Sequence, residues 1–479
     1  MIIMKPITQK LWVFMAMLCT LISASAYDFE VDGIYYTITS TAGFTCEVSG
    51  SNTDLDELVI PEEVTYLNRS LKVTALGNNA FSGSQIESVT LPQSVKSIKK
   101  GCFSNSKIKH IENTSSISFL GEECFKNCGS LDSFTFGQEN TIRFGIRCFW
   151  GCTSLESIKI PSNAILDGHE TFEGCTALRE VEIDCKTLPS DCFSGCSSLK
   201  TIILGENCES LGPNCFYGCK SLENINIPTS IVGIGSYCFG ACSSLRSIII
   251  PESVKLRDLT NTDSSEEYGY YMFRNCTSLE TVEWNANVIP NGAFEGCTSL
   301  KSLTIGENTS QIYLGSVPFS GNSSKPHFTF DRCDIHSLRI LHNSLPLKLL
   351  FIQVRDRSSS IMNSLEWTGY QQELLQIFDK VEELYIAREI KSLKDMDDGC
   401  QYNNLKRLII GIGNPKFVDP GGYINWKTLQ YLKSELPSPP YLYDVFTTAQ
   451  YTTMEVEVPI YTKLRTCGEI FGIYRDSMA

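Results

Sequence analysis

The stretch Cys192-Phe193-Ser194-Gly195-Cys196-Ser197-Ser198-Leu199-Lys200-Thr201-Ile202-Ile203-Leu204 recurs along the chain, and this recurrence restricts the possible folds more than any other feature. Close copies run from Cys148 to Pro161, from Cys215 to Pro228 and from Cys238 to Pro251, with a less regular one from Cys124 to Phe136. The anchor phenylalanines are Phe81, Phe103, Phe125, Phe149, Phe172, Phe193, Phe216, Phe239, Phe273, Phe294 and, weakly, Phe319. A unit of about 23 residues cannot bury a hydrophobic face alone and must stack on its neighbours. Each unit closes on the pattern Leu-x-x-Ile-x-Ile, as at Leu155, Ile158 and Ile160, or Leu245, Ile248 and Ile250. Alternation of period two describes a strand with one buried face. Pro161, Pro228 and Pro251 end it where no ladder donor is needed. About ten units stacked at about 4.8 Å predict a parallel ladder roughly 50 Å long.

The regions outside the array read differently. Lys5 and Lys10 precede the apolar run Leu11 to Ile22, and Ser23-Ala24-Ser25-Ala26 follows. A basic start, a short apolar core and an A-x-A site predict a secretory signal peptide over 1–26 and an exported protein, secreted or at the cell surface. In a Gram-negative cell that means the periplasm or the outer-membrane side. No later stretch is long enough to span a membrane as a helix. Residues 27–80 carry alternating Phe29, Val31, Ile34, Tyr36 and Ile38 around Gly33, and read as an N-terminal β cap over the first open coil. Repeats occupy 81–320. Degenerate repeats follow over 321–440, where Val381, Leu384 and Ile386 are matched 24 residues on by Leu405, Leu408 and Ile410. Tyr370, Leu374, Ile377 and Val381 recur at helical spacing and predict an inserted amphipathic helix. Residues 441–479, with strand-like Met454 to Val458, are placed to form a C-terminal cap. One gap is long: Lys255 to Tyr271 adds about eleven residues, ending in Tyr268, Tyr270 and Tyr271. It reads as a tolerated surface insertion, or else as a contact loop.

The chain has 21 cysteines, and most fall on two repeat positions. Cys102, Cys124, Cys148, Cys192, Cys215 and Cys238 precede the anchor Phe. Cys128, Cys152, Cys175, Cys196, Cys219, Cys242, Cys276 and Cys297 follow it by three. The first position also accepts Ala80, Thr171, Met272 and Ala293, which describes a small, buried, mildly apolar slot. Disulfides are a second reading, since equivalent positions on adjacent coils lie about 5 Å apart. Parallel Cβ vectors disfavour the bond there, so Cys46, Cys185, Cys208, Cys333, Cys400 and Cys467, off both rows, are the better disulfide candidates. Metal binding is the weakest reading, because no histidine accompanies the pairs. No G-x-S-x-G, H-E-x-x-H or phosphate-binding lysine motif occurs. Gly233-Ile234-Gly235 is a fragment of a dinucleotide fingerprint without its last glycine. His110, His169, His327, His336 and His342 are scattered. No catalytic residue, metal ligand or cofactor is expected.

The A/C-F-x-G-C-x-S-L-x-x-I-x-I-P unit resembles the BspA-like (LRR_5 type) leucine-rich repeats of exported proteins from Bacteroides-type bacteria, over roughly residues 58–320. Tyr27-Asp28-Phe29-Glu30-Val31-Asp32-Gly33-Ile34 is similar to the N-terminal cap of that family, and the segment from Phe446 through Val458-Pro459 to Phe471 is similar to its closing segment. The expected fold class is an α/β-type repeat solenoid dominated by β, a right-handed leucine-rich-repeat solenoid with a cap at each end. The resemblance implies a surface or secreted binding scaffold. Forty Lys and Arg against 54 Asp and Glu give a net charge of −14, which argues against nucleic acid as a partner. An extracellular protein or glycan is the expected partner, and a passive component of the cell envelope is the alternative. Strand alternation assigns the exposed, concave strand face to Ser157, Lys159, Glu180, Glu182, Thr201, Ile203, Asn224, Asn226, Ser247, Ile249, Thr281 and Glu283.

Overall fold

The computed structural model describes residues 27–52, 56–137, 141–256, 269–309, 311–318, 327–330, 332–340, 348–354, 381–386, 404–410, 428–434 and 455–457. They form a parallel-strand solenoid of about twelve turns. Helix among them is limited to the 3-10 turn Thr114–Ser116 and a 3-10 residue at Thr428.

Each coil has three sides. In the coil anchored on Phe172, a turn segment runs from Glu170 to Leu178, the strand Glu180–Ile183 follows, and the short strand Thr187–Leu188 leads to the next coil. The turn segment depends on two left-handed residues, one two positions before the Phe and one two positions after. Here they are Glu170 (φ 59°) and Gly174 (φ 73°), and in the next coil Asp191 (φ 58°) and Gly195 (φ 74°). Interleaving left-handed with right-handed residues turns alternate N–H groups along the solenoid axis. Thus the Phe172 N–H donates to the Cys192 carbonyl at 2.8 Å, and the Gly174 N–H to the Ser194 carbonyl at 2.8 Å. Phe193 and Gly195 repeat both bonds with Cys215 and Tyr217. The glycine of the motif follows from this, since a Cβ in that region costs about 1–2 kcal/mol. Asparagine replaces it at Asn105, Asn127 and Asn275; Ala241 (φ 58°) and Arg332 (φ 62°) are the departures.

The turn geometry stacks the anchor rings. From Phe81 to Phe294 successive centroids lie 5.1 to 5.8 Å apart, close to parallel. The stack then continues from Phe294 to Phe330 at 5.7 Å. The expected anchor Phe319 lies outside the described residues, and Phe330 holds that place; the register shifts because Phe330, not Phe319, carries a cysteine three residues on.

The strand side forms a row of in-register parallel pairs. Ser157–Ile160, Glu180–Ile183 and Thr201–Leu204 make one sheet. A longer sheet runs from Ser247–Ile250 through Thr281–Trp284, Ser302–Ile305, Ser337–Ile340, Glu383–Ile386, Arg407–Ile410 and Tyr431–Ser434 to Glu455–Glu457. The spacing of 24 is realised as Leu384 opposite Leu408 and Ile386 opposite Ile410. Two coils keep the inward pattern without a regular strand. One carries Phe134 and Phe136 in place of aliphatic residues, and the other is Asn224-Ile225-Asn226-Ile227, rich in a residue that strands disfavour. Ile225 and Ile227 remain buried there.

The third side is a second parallel row, with strands such as Ser97–Ile98, Ala164–Leu166 and Gly233–Ile234. Its first member, Arg69–Leu76, is also the join to the cap. The cap is antiparallel: Phe29–Val31 and Ile34–Ser40 form a hairpin whose two-residue turn, Asp32-Gly33, has both φ values positive. The expected signal peptide, the residues Tyr370, Leu374 and Ile377 of the expected helix, and the closing segment apart from Glu455–Glu457 lie outside the described residues. Val381 is buried just before the strand Glu383–Ile386.

Relieving one strained turn tests this account. Ala241→Gly removes a left-handed Cβ cost of about 1–2 kcal/mol while adding about 0.5–1 kcal/mol of unfolded-state freedom. The urea midpoint should rise by the equivalent of about 0.5–1 kcal/mol. Gly195→Val at the equivalent position should lower it by at least about 1–2 kcal/mol.

Candidate functional site

The cysteines were the conspicuous candidates for chemistry, and the fold places them in the core. All eighteen described cysteines are buried. At the position three past the Phe, the cysteine N–H closes its own turn, as Cys196 does on the Phe193 carbonyl at 3.2 Å. Its thiol reaches back one coil: Cys196 Sγ donates to the Phe172 carbonyl at 3.2 Å, Cys219 to Phe193 at 3.3 Å and Cys242 to Phe216 at 3.1 Å. The position before the Phe is a tight internal slot, and the Cys124 and Cys148 thiols there share a hydrogen bond at 3.2 Å between sulfurs. Four of the expected disulfide candidates are corrected. Cys333 belongs to the row, donating to the Phe294 carbonyl at 3.3 Å. Cys185 and Cys208 donate to the carbonyls of Thr187 and Ile183, and Cys46 is enclosed by the cap sheet. Cys400 and Cys467 lie outside the described residues.

Burial pushes the Cys128, Cys185, Cys242 and Cys297 thiols up to about 12, and those of Cys46 and Cys208 to about 11. Desolvation of the thiolate is the main cause in each. A thiol held that way is a poor nucleophile and a poor ligand.

The outward-facing strand residues form the alternative site. Ser157, Glu180 and Thr201 lie side by side across one sheet, and beside them run Lys159, Glu182 and Ile203. Ser247 and Thr281 continue the first line beyond the Asn224 coil, and Ile249 and Glu283 the second. All twelve expected residues, Asn224 and Asn226 included, are solvent-exposed. Lys159 and Glu182 pair at 2.6 Å, an exposed pair of small energetic value. Ile203 and Ile249 expose 49% and 57% of their surface on a face that is otherwise polar. Where the strands end, a shallow cleft of about 400 Å³ opens between Ile249, Pro251, Glu252, Asn285, Glu307 and Asn308. Sequence reasoning missed it. The signal was the residues just past the last inward-facing strand position in three successive units, which become neighbours only once the units stack.

The remaining candidates are dispersed. His110 faces Asp132 at 3.2 Å many coils before the cleft, and His336 faces Asp334 at 3.0 Å, half-buried at the incoming end of the coil next to it. Gly233 belongs to the second strand row, so Gly233-Ile234-Gly235 is scaffold. In the long insertion Tyr268 lies outside the described residues, while Tyr271 stacks on Tyr237 at 4.9 Å.

Two measurements check the thiol assignment. At neutral pH, thiol reagents should modify at most Cys19, Cys400 and Cys467 in the native chain, and all thiols after unfolding. The pH dependence also has a definite sign. Folded values raised from 9.0 toward 11 and 12 mean that the unfolded chain ionises first as pH rises. Stability should therefore be flat from pH 6 to 8 and fall between about 9 and 12, by about 1.4 kcal/mol per pH unit for each thiol ionised only in the unfolded chain. Urea midpoints unchanged up to pH 11 would contradict thiol burial.

The family model for the BspA type leucine-rich repeat region matches residues 74–188, 165–258 and 253–332, in six copies. A leucine-rich repeat protein from Bacteroides ovatus, of known crystal structure, is 23% identical, covers 90% of this chain and 100% of its own, and superposes with a TM-score of 0.52. That likeness concerns the fold. A leucine rich cell surface protein from Faecalibacterium prausnitzii is 19% identical, covering 65% of this chain and 94% of its own at a TM-score of 0.35. No curated protein matches the sequence. Among the described residues no helix is long and apolar enough to cross a membrane. The repeat match extends over more than half of the chain, which belongs to the BspA-type leucine-rich repeat family.

Proposed function

We propose that this chain is a non-catalytic binding scaffold, exported to the cell surface or secreted, whose strand face engages an extracellular protein or glycan. The observation that carries this reading is the continuity of the exposed face across successive coils. Positions such as Glu180 and Thr201, and beyond the Asn224 coil Ser247 and Thr281, contribute nothing to the core, and in-register pairing presents each set at about 4.8 Å intervals. A long row of solvent-facing side chains on a rigid ladder is a preorganised surface, which lowers the ordering cost of association. Ile203 and Ile249 add a motive for binding, because their exposed apolar area is recovered when a partner covers them. Family membership supports the same reading, since leucine-rich repeats generally serve as protein-interaction scaffolds. The competing reading is a passive component of the cell envelope, which would show no saturable partner.

A glycan and extracellular-matrix array with the purified chain identifies the partner class. Joint substitution of Glu180, Glu182, Asn224 and Asn226 by Ala should then weaken binding at least tenfold, about 1.4 kcal/mol, with an unchanged unfolding midpoint. Unchanged affinity would remove the strand face from the reading. Absence of any saturable ligand would favour the envelope component.

A further inference from the structure

Charge is segregated across the strand face. At the incoming ends of the strands, cations and carboxylates are mixed: Glu156, Arg179, Lys200, Glu223, then Arg246 facing Glu280 at 4.0 Å. Past the outgoing ends stand Asp184, Glu206, Glu252 and Glu307, and Glu283 lies one position inside its strand end, in line with Ile249. Three of these accept hydrogen bonds from asparagine amides. Asn207 donates to Asp184 at 2.8 Å, Asn308 to Glu252 at 2.8 Å and Asn285 to Glu283 at 2.9 Å. Lys255 donates to the main-chain carbonyl of Glu252, at 2.8 Å. A neutral donor orients a carboxylate without cancelling its charge, so this edge keeps a negative field that the incoming edge does not.

The same edge carries the apolar features of the face. Ile203 and Ile249 stand in the line of residues nearest it, two coils apart, and Ile249 and Pro251 form one wall of the cleft whose other residues include Glu252 and Glu307. Lysine and arginine suit such a site. Their aliphatic stems cover apolar surface while the charged head reaches a carboxylate. Two coils span about 10 Å, which about three residues of extended chain also span.

We propose that the outgoing half of the strand face docks an extended protein segment in which lysine or arginine alternates with apolar residues. Apolar side chains and cationic stems cover Ile203 and Ile249, and cationic heads meet the Glu206, Glu252 and Glu283 carboxylates. This deepens the strand-face reading and rests on it.

The test uses fluorescein-labelled twelve-residue peptides of alternating Lys and Leu, alternating Lys and Ser, and alternating Glu and Leu, with the purified chain at 150 mM salt. The Lys/Leu peptide should bind saturably, the Lys/Ser peptide at least tenfold more weakly, and the Glu/Leu peptide not at all. E206Q/E252Q/E283Q and, separately, I203S/I249S should each weaken Lys/Leu binding at least tenfold. E30Q/E62Q/E63Q removes as much charge from the exposed cap and should change it less than twofold. Affinity should also fall several-fold between 50 and 300 mM salt, as screening of exposed charges requires. The proposal is overturned if the Lys/Leu peptide fails to saturate, if the cap variant weakens it as much as the face variants, or if neither face variant matters. Should the array instead return an uncharged glycan whose binding the Glu180, Glu182, Asn224 and Asn226 substitutions abolish, the strand-face reading stands and this docking proposal falls.

Discussion

The rest of the structure depends on one backbone device, the turn that places two left-handed residues around each anchor phenylalanine. Without Glu170 and Gly174 in that conformation, the N–H groups of Phe172 and Gly174 would not point at the next coil. Buried amide groups left unpaired would each cost about 1–3 kcal/mol, and the error would recur in every coil. With the turn in place, the ring stack follows, because identical turns one coil apart carry their rings at nearly the same separation as the backbones. Each stacked pair then adds about 0.5–1.5 kcal/mol beyond area burial. The stability of such an array is a sum of coil and interface contributions, so a weak coil is felt by its neighbours more than by the far end.

The cysteine rows are a consequence of the same turn. The Phe carbonyl accepts the N–H of the residue three positions on and still has a lone pair facing the following coil. A thiol answers that lone pair with a weak donor on a small, largely apolar side chain, which costs less to bury than a hydroxyl. In the first coils the same position holds Ser84 and Ser106, and the Ser84 hydroxyl is buried without a partner. Among the described residues no coil before Phe81 offers a Phe carbonyl that it could meet. The abundance of cysteine is thus a packing solution repeated by the array, and burial keeps it from reacting.

Inward-facing residues were legible in the sequence because the fold constrains them directly. Leu-x-x-Ile-x-Ile could only be a half-buried strand, and the 24-residue return of Leu384 and Ile386 at Leu408 and Ile410 survived the loss of every other motif letter. The error at Phe319 has a physical source: with the Phe-Gly-Cys signature fading, a phenylalanine at plausible spacing looked sufficient, whereas the slot three residues on is what ties an anchor to the previous coil. Cys333 carried that information, and its thiol bond to the Phe294 carbonyl explains why Phe330 wins. The missing strand at Asn224 to Ile227 shows the opposite case, in which inward burial is preserved while regular pairing is not.

The candidate site was legible only in part, and the reason lies in the direction its side chains face. Alternation identifies which residues point outward, but the fold accepts nearly any polar residue there, so the repeat carries no record of what they do. The segregation of charge across the strand face illustrates this. Asp184 and Glu252 follow their strand ends and Glu283 precedes its own, and each gains an asparagine partner: from the next coil for Asp184, from two coils on for Glu252, and from the same coil for Glu283. Within one unit such a carboxylate looks like ordinary solubilising charge. Glu252 and Glu283 lie in adjacent coils and each accepts from a neutral amide, so repulsion that a salt bridge would have relieved is retained. A fold indifferent to that repulsion leaves it available for a partner of opposite charge to relieve, and this is where recognition can be selected without disturbing the turn that holds the solenoid together.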